Sequence, residues 1–478
     1  MMNSKIYLPI RQFVTRAANE VKEKAIPGPK YYPFLGPIND ILTMGKAEKL
    51  HLTIDEYHRK YGPVFKTKLG STDAVFISSP TFIRSIFNHE GKFPKHSMPP
   101  SWLYFNKKHS INRGLLFMDG EEWYEHRKIM NSILMKDSQW TETIIRVTCD
   151  NFIKKIKRSF NTESDEVIDN LEDELYLWST YSILNLMLGS STHEQSDREF
   201  DENVWKFVTS AKQIWTTSAK LLTIPPAIAD KLHLKVWKDF EKTVHESISL
   251  SRKMISAFND KNVFNCSKDG LFMKLKSHNL SDEMMTQILS DLIFAAGDTT
   301  VSTMSWCLHK IAKHNEIQSM MRKSIYESDF DYETPLVRAF LKEVLRLYPV
   351  APFIGRILDT EATLGAYKIP KGWFALTSQY SAGHDPQNFV NPEKFSPKRW
   401  LRDEKTEKLH DFNASLPFAM GVRSCVGKKI ATYQIHTLIT KILQEFNLTS
   451  FNKDEVEYTL KLIGLPNKKI LIGFKARQ

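Results

Sequence analysis

The sequence predicts a mainly α fold with a small β lobe. Three observations carry that reading. Apolar residues recur at helical spacing through most of residues 119–345, two strand-like runs precede them between 64 and 77, and the last third mixes short strands, turns and helices with many prolines. Of the 478 residues 42% are hydrophobic and 25% charged, which excludes wholesale disorder, and the 12% aromatic content suits a large core or an apolar cavity. The net charge of +11 is spread through helical patterns and not gathered into a basic block, so nucleic acid is not an expected partner. No window reaches the roughly 18 consecutive apolar residues of a membrane-spanning helix.

Residues 1–19 hold Lys5, Arg11 and Arg16 and no acidic residue, with Ile6, Leu8, Ile10, Phe13 and Val14 interspersed among polar positions. That pattern is similar to an amphipathic organelle-import segment, so residues 1–25 read as a leader and 26–478 as the folded domain. Ile26-Pro27-Gly28-Pro29 cannot continue a helix and marks a stiff boundary, extended by Pro33 and Gly36-Pro37. Val64 to Leu69 and Ala74 to Ile77 predict a hairpin closed by Gly70-Ser71-Thr72-Asp73. The helical region is interrupted at Pro225-Pro226 and at the polar stretch 261–270. A long helix over about residues 281–311 starts from Ser281 as N-cap, with Asp282 and Glu283 in its first turn. Thr334-Pro335 predicts the start of another. Asp119 is the expected cap of a helix carrying Trp123 and Arg127.

The four cysteines, Cys149, Cys266, Cys307 and Cys425, form no C-x-x-C pair, so neither a disulfide framework nor a zinc site is expected. Three of them read as inert thiols. Cys425 differs. It follows a turn at Gly421 and precedes Gly427 and a helical run, near the positive end of a helix dipole and two residues from Arg423. Those neighbours predict a lowered pKa and a thiolate suited to metal binding. A structural cysteine beside a turn is the bland alternative. Against it stand the five identities of F-x-x-G-x-R-x-C-x-G, at Phe418, Gly421, Arg423, Cys425 and Gly427. A chance match at fixed spacing is on the order of one in a million per start position.

With this pattern the chain resembles the cytochrome P-450 superfamily. The resemblance implies the P-450 fold and haem b as cofactor, with Cys425 as axial thiolate to the iron, Phe418 shielding the sulfur and Arg423 holding a propionate. Thiolate donation favours O–O cleavage, so the implied activity is monooxygenation with O₂ as co-substrate. Mid-helix Ala295-Ala296-Gly297-Asp298-Thr299-Thr300 is a weak helix interior with a carboxylate beside a hydroxyl. Taken alone it reads equally well as a solvated patch. Beside the cysteine loop it resembles the family's oxygen-activation motif, which makes Asp298 and Thr299 the proton-delivering acid–alcohol pair. Ala296 stands where glycine is usual, which leaves the groove shape open. Glu343 and Arg346, at i and i+3, resemble the E-x-x-R pair, and Arg399 in Phe395-Ser396-Pro397-Lys398-Arg399-Trp400 resembles its third member. Trp123 and Arg127 match W-x-x-x-R near a propionate, and Arg356 resembles another propionate arginine.

The same resemblance extends to branch and substrate. Arg338 with Lys342, and Lys428 with Lys429, match the basic docking positions of the mitochondrial branch. The partners implied are an adrenodoxin-like mitochondrial ferredoxin and its NADPH-dependent reductase, with the protein at the matrix side of the inner membrane in peripheral contact with it. Three segments are similar to the insect ecdysteroid 2-hydroxylases of the Halloween group. They run from Leu345 to Arg356, from Ala74 to Ser79 with His89-Glu90-Gly91, and from Leu416 to Ala419. That implies an ecdysteroid substrate, 2-deoxyecdysone hydroxylated to ecdysone, against a wall of Ala295, Val350, Phe353 and Ile354. Hydroxylation at another sterol carbon and non-catalytic binding of haem or lipid are the alternatives.

Overall fold

The structure is a computed structural model describing residues 23–30, 47–69, 72–96, 98–136, 139–158, 166–192, 195–222, 224–260, 264–401 and 410–477. Most of the expected leader, Pro33, Gly36-Pro37, the hairpin tip Gly70-Ser71 and the start of the 261–270 stretch lie outside the described residues.

The main helices are α1 (Leu50–Tyr61), α2 (Pro100–Lys108), α3 (Gly120–Asn131), α4 (Trp140–Arg158), α5 (Leu171–Leu188), α6 (Arg198–Lys220), α7 (Lys235–Ala257), α8 (Asp282–Lys313), α9 (Asn315–Glu327), α10 (Pro335–Leu347) and α11 (Lys428–Glu445). The strands are β1 (Val64–Leu69), β2 (Thr72–Ile77), β3 (Glu166–Val167), β4 (Phe353–Ile357), β5 (Ala362–Leu364), β6 (Tyr367–Ile369), β7 (Phe374–Ser378), β8 (Phe446–Ser450), β9 (Tyr458–Lys461), β10 (Ile463–Pro466) and β11 (Ile472–Ala476). The mainly helical expectation with a minor sheet component holds. Helices α1, α2 and Pro80–Asn88, all ahead of residue 119, were not foreseen.

Local chemistry explains the two helices that matter most. Ser281 accepts from Met284 N at 3.1 Å and opens α8, whose buried face carries Met285, Ile288, Leu289 and Ile293. Thr334 accepts from Val337 N at 3.3 Å, with Pro335 in the first turn of α10. Asp119 sits at the N-cap of α3 but makes no capping bond. Its carboxylate is taken instead by Arg423 and His96.

The largest sheet has the order β1-β2-β7-β4. The hairpin is tighter than expected, because Leu69 pairs with Thr72 and the turn shrinks to two residues. Strand β7 then pairs parallel to β2 and antiparallel to β4, which leaves β4 at an edge of the sheet. Phe65 stacks on Phe76 at 5.2 Å within the sheet's core. Residues 23–30 lie along this lobe: Lys66 N donates to Pro27 O at 2.8 Å, and a Cβ at Gly28 would stand 2.1 Å from Lys66 O. The main apolar core lies among α4, α5, α7, α8, α10 and α11.

One buried carboxylate locks α10 to the segment before the cysteine loop. Glu343 accepts from Arg346 Nε and Nη2, from Arg399 Nε and from Ser396 N, each at 2.9 Å, and from Trp400 Nε1 at 2.8 Å. Glu343 is fully buried, and Arg346 and Arg399 are nearly so. Burial pushes the carboxyl up, but the arginine hydrogen bonds and charges outweigh it and hold it below its ordinary range. Glu343→Ala strands two buried guanidinium groups and should cost about 3–5 kcal/mol of stability in a denaturant titration. A loss below about 1 kcal/mol, the size of an exposed pair, would show that this network does not hold the fold.

Candidate active site

The cysteine loop is pinned from three sides. Within the loop, Cys425 N donates to Phe418 O at 2.9 Å, and Gly421 sits at φ 79°, a left-handed turn that suits glycine. From α3, Arg127 donates through Nη2 to Ser424 O and through Nε to Asn131 Oδ1 at 2.9 Å, while Trp123 lies buried under Arg423, ring to guanidinium 4.0 Å. Arg423 spends its donors on Pro94 O and Met118 O, each at 2.7 Å, and on Asp119. From the β lobe, Glu90 accepts from Val422 N at 2.7 Å and from Arg356 Nε at 2.7 Å. W-x-x-x-R thus acts in part as a clamp on the loop. Glu90 stood in one of the segments that carry the resemblance, but no role was expected of it.

Cys425 opens onto space bordered by the loop and the start of α11, with Gly427 at the N-cap of that helix. Burial by the surrounding protein pushes its thiol up, against the Gly427 N–H and the charges of Arg127 and Lys428. This corrects the expectation of a lowered pKa. The desolvation outweighs the cations, and Arg423, the cation expected to help, is occupied by Asp119 and two carbonyls. Cys149 and Cys307 are buried and their thiols are pushed up, Cys149 to about 12, as inert core residues.

Helix α8 presents two different faces at 295–300. Ala295, Ala296 and Thr299 are half-buried, whereas Gly297, Asp298 and Thr300 are buried. Thr299 Oγ1 donates to Ala295 O at 2.8 Å, the i−4 bond expected of a helical threonine. On the buried side Tyr176 of α5 donates to Asp298 Oδ1 at 2.5 Å, and Asp298 Oδ2 has no hydrogen-bond partner among the described residues. Burial pushes the Asp298 carboxyl up to about 6, with the Tyr176 bond opposing. Beyond it lies a cavity of about 300 Å³ lined by Tyr176, Lys212, Trp215, Asp298, Ser302 and Lys468, among others. Gln434 of α11 donates to Thr300 at 3.1 Å and so ties the cysteine helix to this motif. Neither Tyr176 nor Gln434 stands in a motif that sequence spacing could flag.

The remaining predicted positions divide. Val350 and Ile354 are half-buried, and Ile354 shares its strand face with Arg356. Phe353 is corrected as a wall residue beside them. Strand alternation turns it to the other face, where it meets Phe76 edge-on at 5.7 Å. Arg338, Lys342, Lys428 and Lys429 are exposed, with Lys342 Nζ 5.7 Å from the Trp400 ring and Lys428 Nζ 5.9 Å from that of Phe418. One further pair went unforeseen. Arg113, ahead of α3, donates to buried Asp291 of α8 at 3.0 and 2.8 Å.

The residues fit a haem. The sulfur of Cys425 is accessible, soft and unpaired. Arg356 is almost fully buried, yet its Nη2 finds no partner among the described residues, a donor suited to a propionate carboxylate. Arg127 and Arg423 stand beside the same loop, so a dianionic edge would meet cations.

The comparisons agree with this chemistry. The cytochrome P450 family model matches residues 26–474. The chain is 33% identical to the Drosophila melanogaster protein "Cytochrome P450 315a1, mitochondrial", over 98% of this chain and 92% of that one. It is 28% identical to the mitochondrial 1,25-dihydroxyvitamin D(3) 24-hydroxylase of Mus musculus, over 95% of this chain and 89% of that one. The solved structure of retinoic acid-bound cyanobacterial CYP120A1 superposes with a TM-score of 0.77, at 19% identity, over 95% of this chain and all of that one, a likeness of fold.

The Asp298 shift has a pH consequence. Between its ordinary 3.8 and about 6 the folded chain holds a proton that the unfolded chain has released, so stability falls as pH rises through that window and is flat above it. The difference is on the order of 3 kcal/mol. Denaturation midpoints of wild type and Asp298→Asn, compared from pH 4 to 7, should diverge in that window and run parallel above it. Parallel curves throughout would mean that Asp298 titrates as an ordinary carboxylate.

Proposed function

The chain belongs to the cytochrome P450 family and is a haem-thiolate monooxygenase; on that premise we propose that it is a mitochondrial ecdysteroid 2-hydroxylase of the Shadow type, converting 2-deoxyecdysone to ecdysone. The observation that carries the catalytic part is the arrangement on α8, where a half-buried Thr299 adjoins an Asp298 whose carboxyl is poised near neutral pH. A protein that only stores haem or lipid has no use for that pair. Bound through Cys425, the haem supplies oxygen activation, with Phe418 beside the sulfur and Arg356, Arg423, Arg127 and Trp123 at its edge. The chain's own groups do the rest. Tyr176 holds Asp298 Oδ1, so Oδ2, without a partner among the described residues, takes the proton from the adjoining cavity, and Thr299 Oγ1, on turning from Ala295 O, relays it toward the open face of α8. Ala295, Val350 and Ile354 are apolar and half-buried, and suit a rigid polycyclic substrate.

Residues 1–25 read as the import leader and 26–478 as the enzyme, placed at the matrix side of the inner membrane. A mitochondrial ferredoxin and its NADPH-dependent reductase deliver electrons, the ferredoxin docking at exposed Arg338, Lys342, Lys428 and Lys429, which makes the encounter salt-sensitive. Leu222, Ile228 and Leu232, exposed between α6 and α7, with Leu103 on α2, support peripheral membrane contact. Among the described residues no helix is long and apolar enough to cross a membrane. The likeness to the murine 1,25-dihydroxyvitamin D(3) 24-hydroxylase favours a second reading, hydroxylation of a sterol at another carbon.

Reconstituted with a mitochondrial ferredoxin, its reductase, NADPH and 2-deoxyecdysone, the protein should form ecdysone, identified by mass spectrometry and NMR. No product from a sample with a normal thiolate carbonyl spectrum would discard the substrate and keep the chemistry. Cys425→Ala should lose that spectrum and all turnover, and an unchanged spectrum would overturn the ligand assignment. Thr299→Ala should consume NADPH while forming several-fold less product, and unchanged coupling would remove Thr299 from proton delivery.

A further inference from the structure

We propose that Glu90 is a positioning residue for the haem site: its carboxylate joins the propionate-side Arg356 to the backbone of the cysteine loop. Glu90 follows the helix Pro80–Asn88 of the β lobe and is far from both partners in sequence. Its side chain is 3% exposed and that of Arg356 is 5% exposed, so the pair is an internal one with little screening. Oε2 accepts from Arg356 Nε and Oε1 from Val422 N, both at 2.7 Å, and the two oxygens serve different elements. Gly421 closes the arrangement. At φ 79° it favours glycine on backbone grounds, and a Cβ there would stand 1.9 Å from Glu90 Oε1. The first glycine of the loop motif therefore leaves room for a carboxylate arriving from another lobe.

Two consequences follow, and they are separable. The bond to Val422 N fixes the loop three residues before Cys425, so its loss loosens the loop. The negative charge compensates Arg356 next to the ligand loop, so its removal leaves that cation unbalanced and makes reduction of the bound iron easier. Burial makes the charge effect larger than a surface carboxylate would produce.

The test uses haem-loaded full chain and rests on the haem-thiolate reading. A wild type without a thiolate carbonyl spectrum would fail that reading and leave Glu90 aside, whereas a normal wild type with unaffected variants fails Glu90 alone. Glu90→Gln loses the charge yet keeps an oxygen for Val422 N; it should shift the reduction potential to a more positive value while deuterium exchange of residues 416–431 stays near wild type. Glu90→Asp keeps the charge but is one methylene too short to reach both partners. It should leave the potential near wild type while the loop exchanges several-fold faster. This opposite split is what general destabilisation cannot produce. An unshifted potential in Glu90→Gln, unchanged loop exchange in Glu90→Asp, acceleration spread over the whole chain, or failure of either variant to load haem would each overturn the proposal.

Discussion

The ligand cysteine must present its sulfur as an anion at one fixed place, and the rest of the site answers that constraint. Desolvation pushes the Cys425 thiol up against the Gly427 N–H and the charges of Arg127 and Lys428, while the residue itself stays exposed. What the chain contributes is place. Arg127 takes Ser424 O, Glu90 takes Val422 N, and Phe418 O takes Cys425 N, so the backbone leading into the sulfur is fixed before any ligand arrives. Preorganisation of this kind lowers the cost of ordering the loop at the moment of binding.

Helix α8 meets a different demand with the same economy of parts. On the proposed function one face stays apolar and open for substrate, and the other holds the carboxyl that relays protons beside a polar cavity. The split falls between adjacent residues, with Thr299 half-buried and Asp298 buried against Tyr176. A carboxyl in that setting is held near neutrality by desolvation, which a solvated aspartate would not be. The bond from Gln434 to Thr300 then ties this helix to α11, the helix that begins just after the ligand, so the two halves of the chemistry share one rigid frame.

What could be read from the sequence was local or motif-borne. The Ser281 and Thr334 caps, the hairpin, the long helix and the Glu343–Arg346 pair follow from short spacings, because caps and i+3 neighbours are set by helix geometry, whereas Arg399 was legible only through the family motif. The misreadings share a cause as well. Asp119 had every local qualification for a cap, but a buried guanidinium from Arg423 offered its carboxylate a stronger partner than a backbone N–H. Phe353 and Ile354 are neighbours in sequence and face opposite sides of β4, a separation that appears only once the strand is known. Glu90, Tyr176 and Asp291 reach partners more than a hundred residues away, and a single sequence holds no signal of such pairs.

Buried charge here specifies position more than it adds stability. An internal ion pair regains through attraction little more than desolvation takes away, so replacing a whole pair by apolar residues is often neutral. Breaking one is costly, and that asymmetry makes such pairs good fasteners: the arrangement that satisfies every member lies well below any that leaves one stranded. Glu343 shows the closed version, with its oxygens saturated by Arg346, Arg399, Ser396 and Trp400. Glu90 shows the open version. It fixes Arg356 and the loop, yet Arg356 keeps Nη2 without a partner among the described residues. The donor left over is suited to a carboxylate, so the same fasteners that join the β lobe to the cysteine loop leave one buried N–H for an anionic cofactor edge.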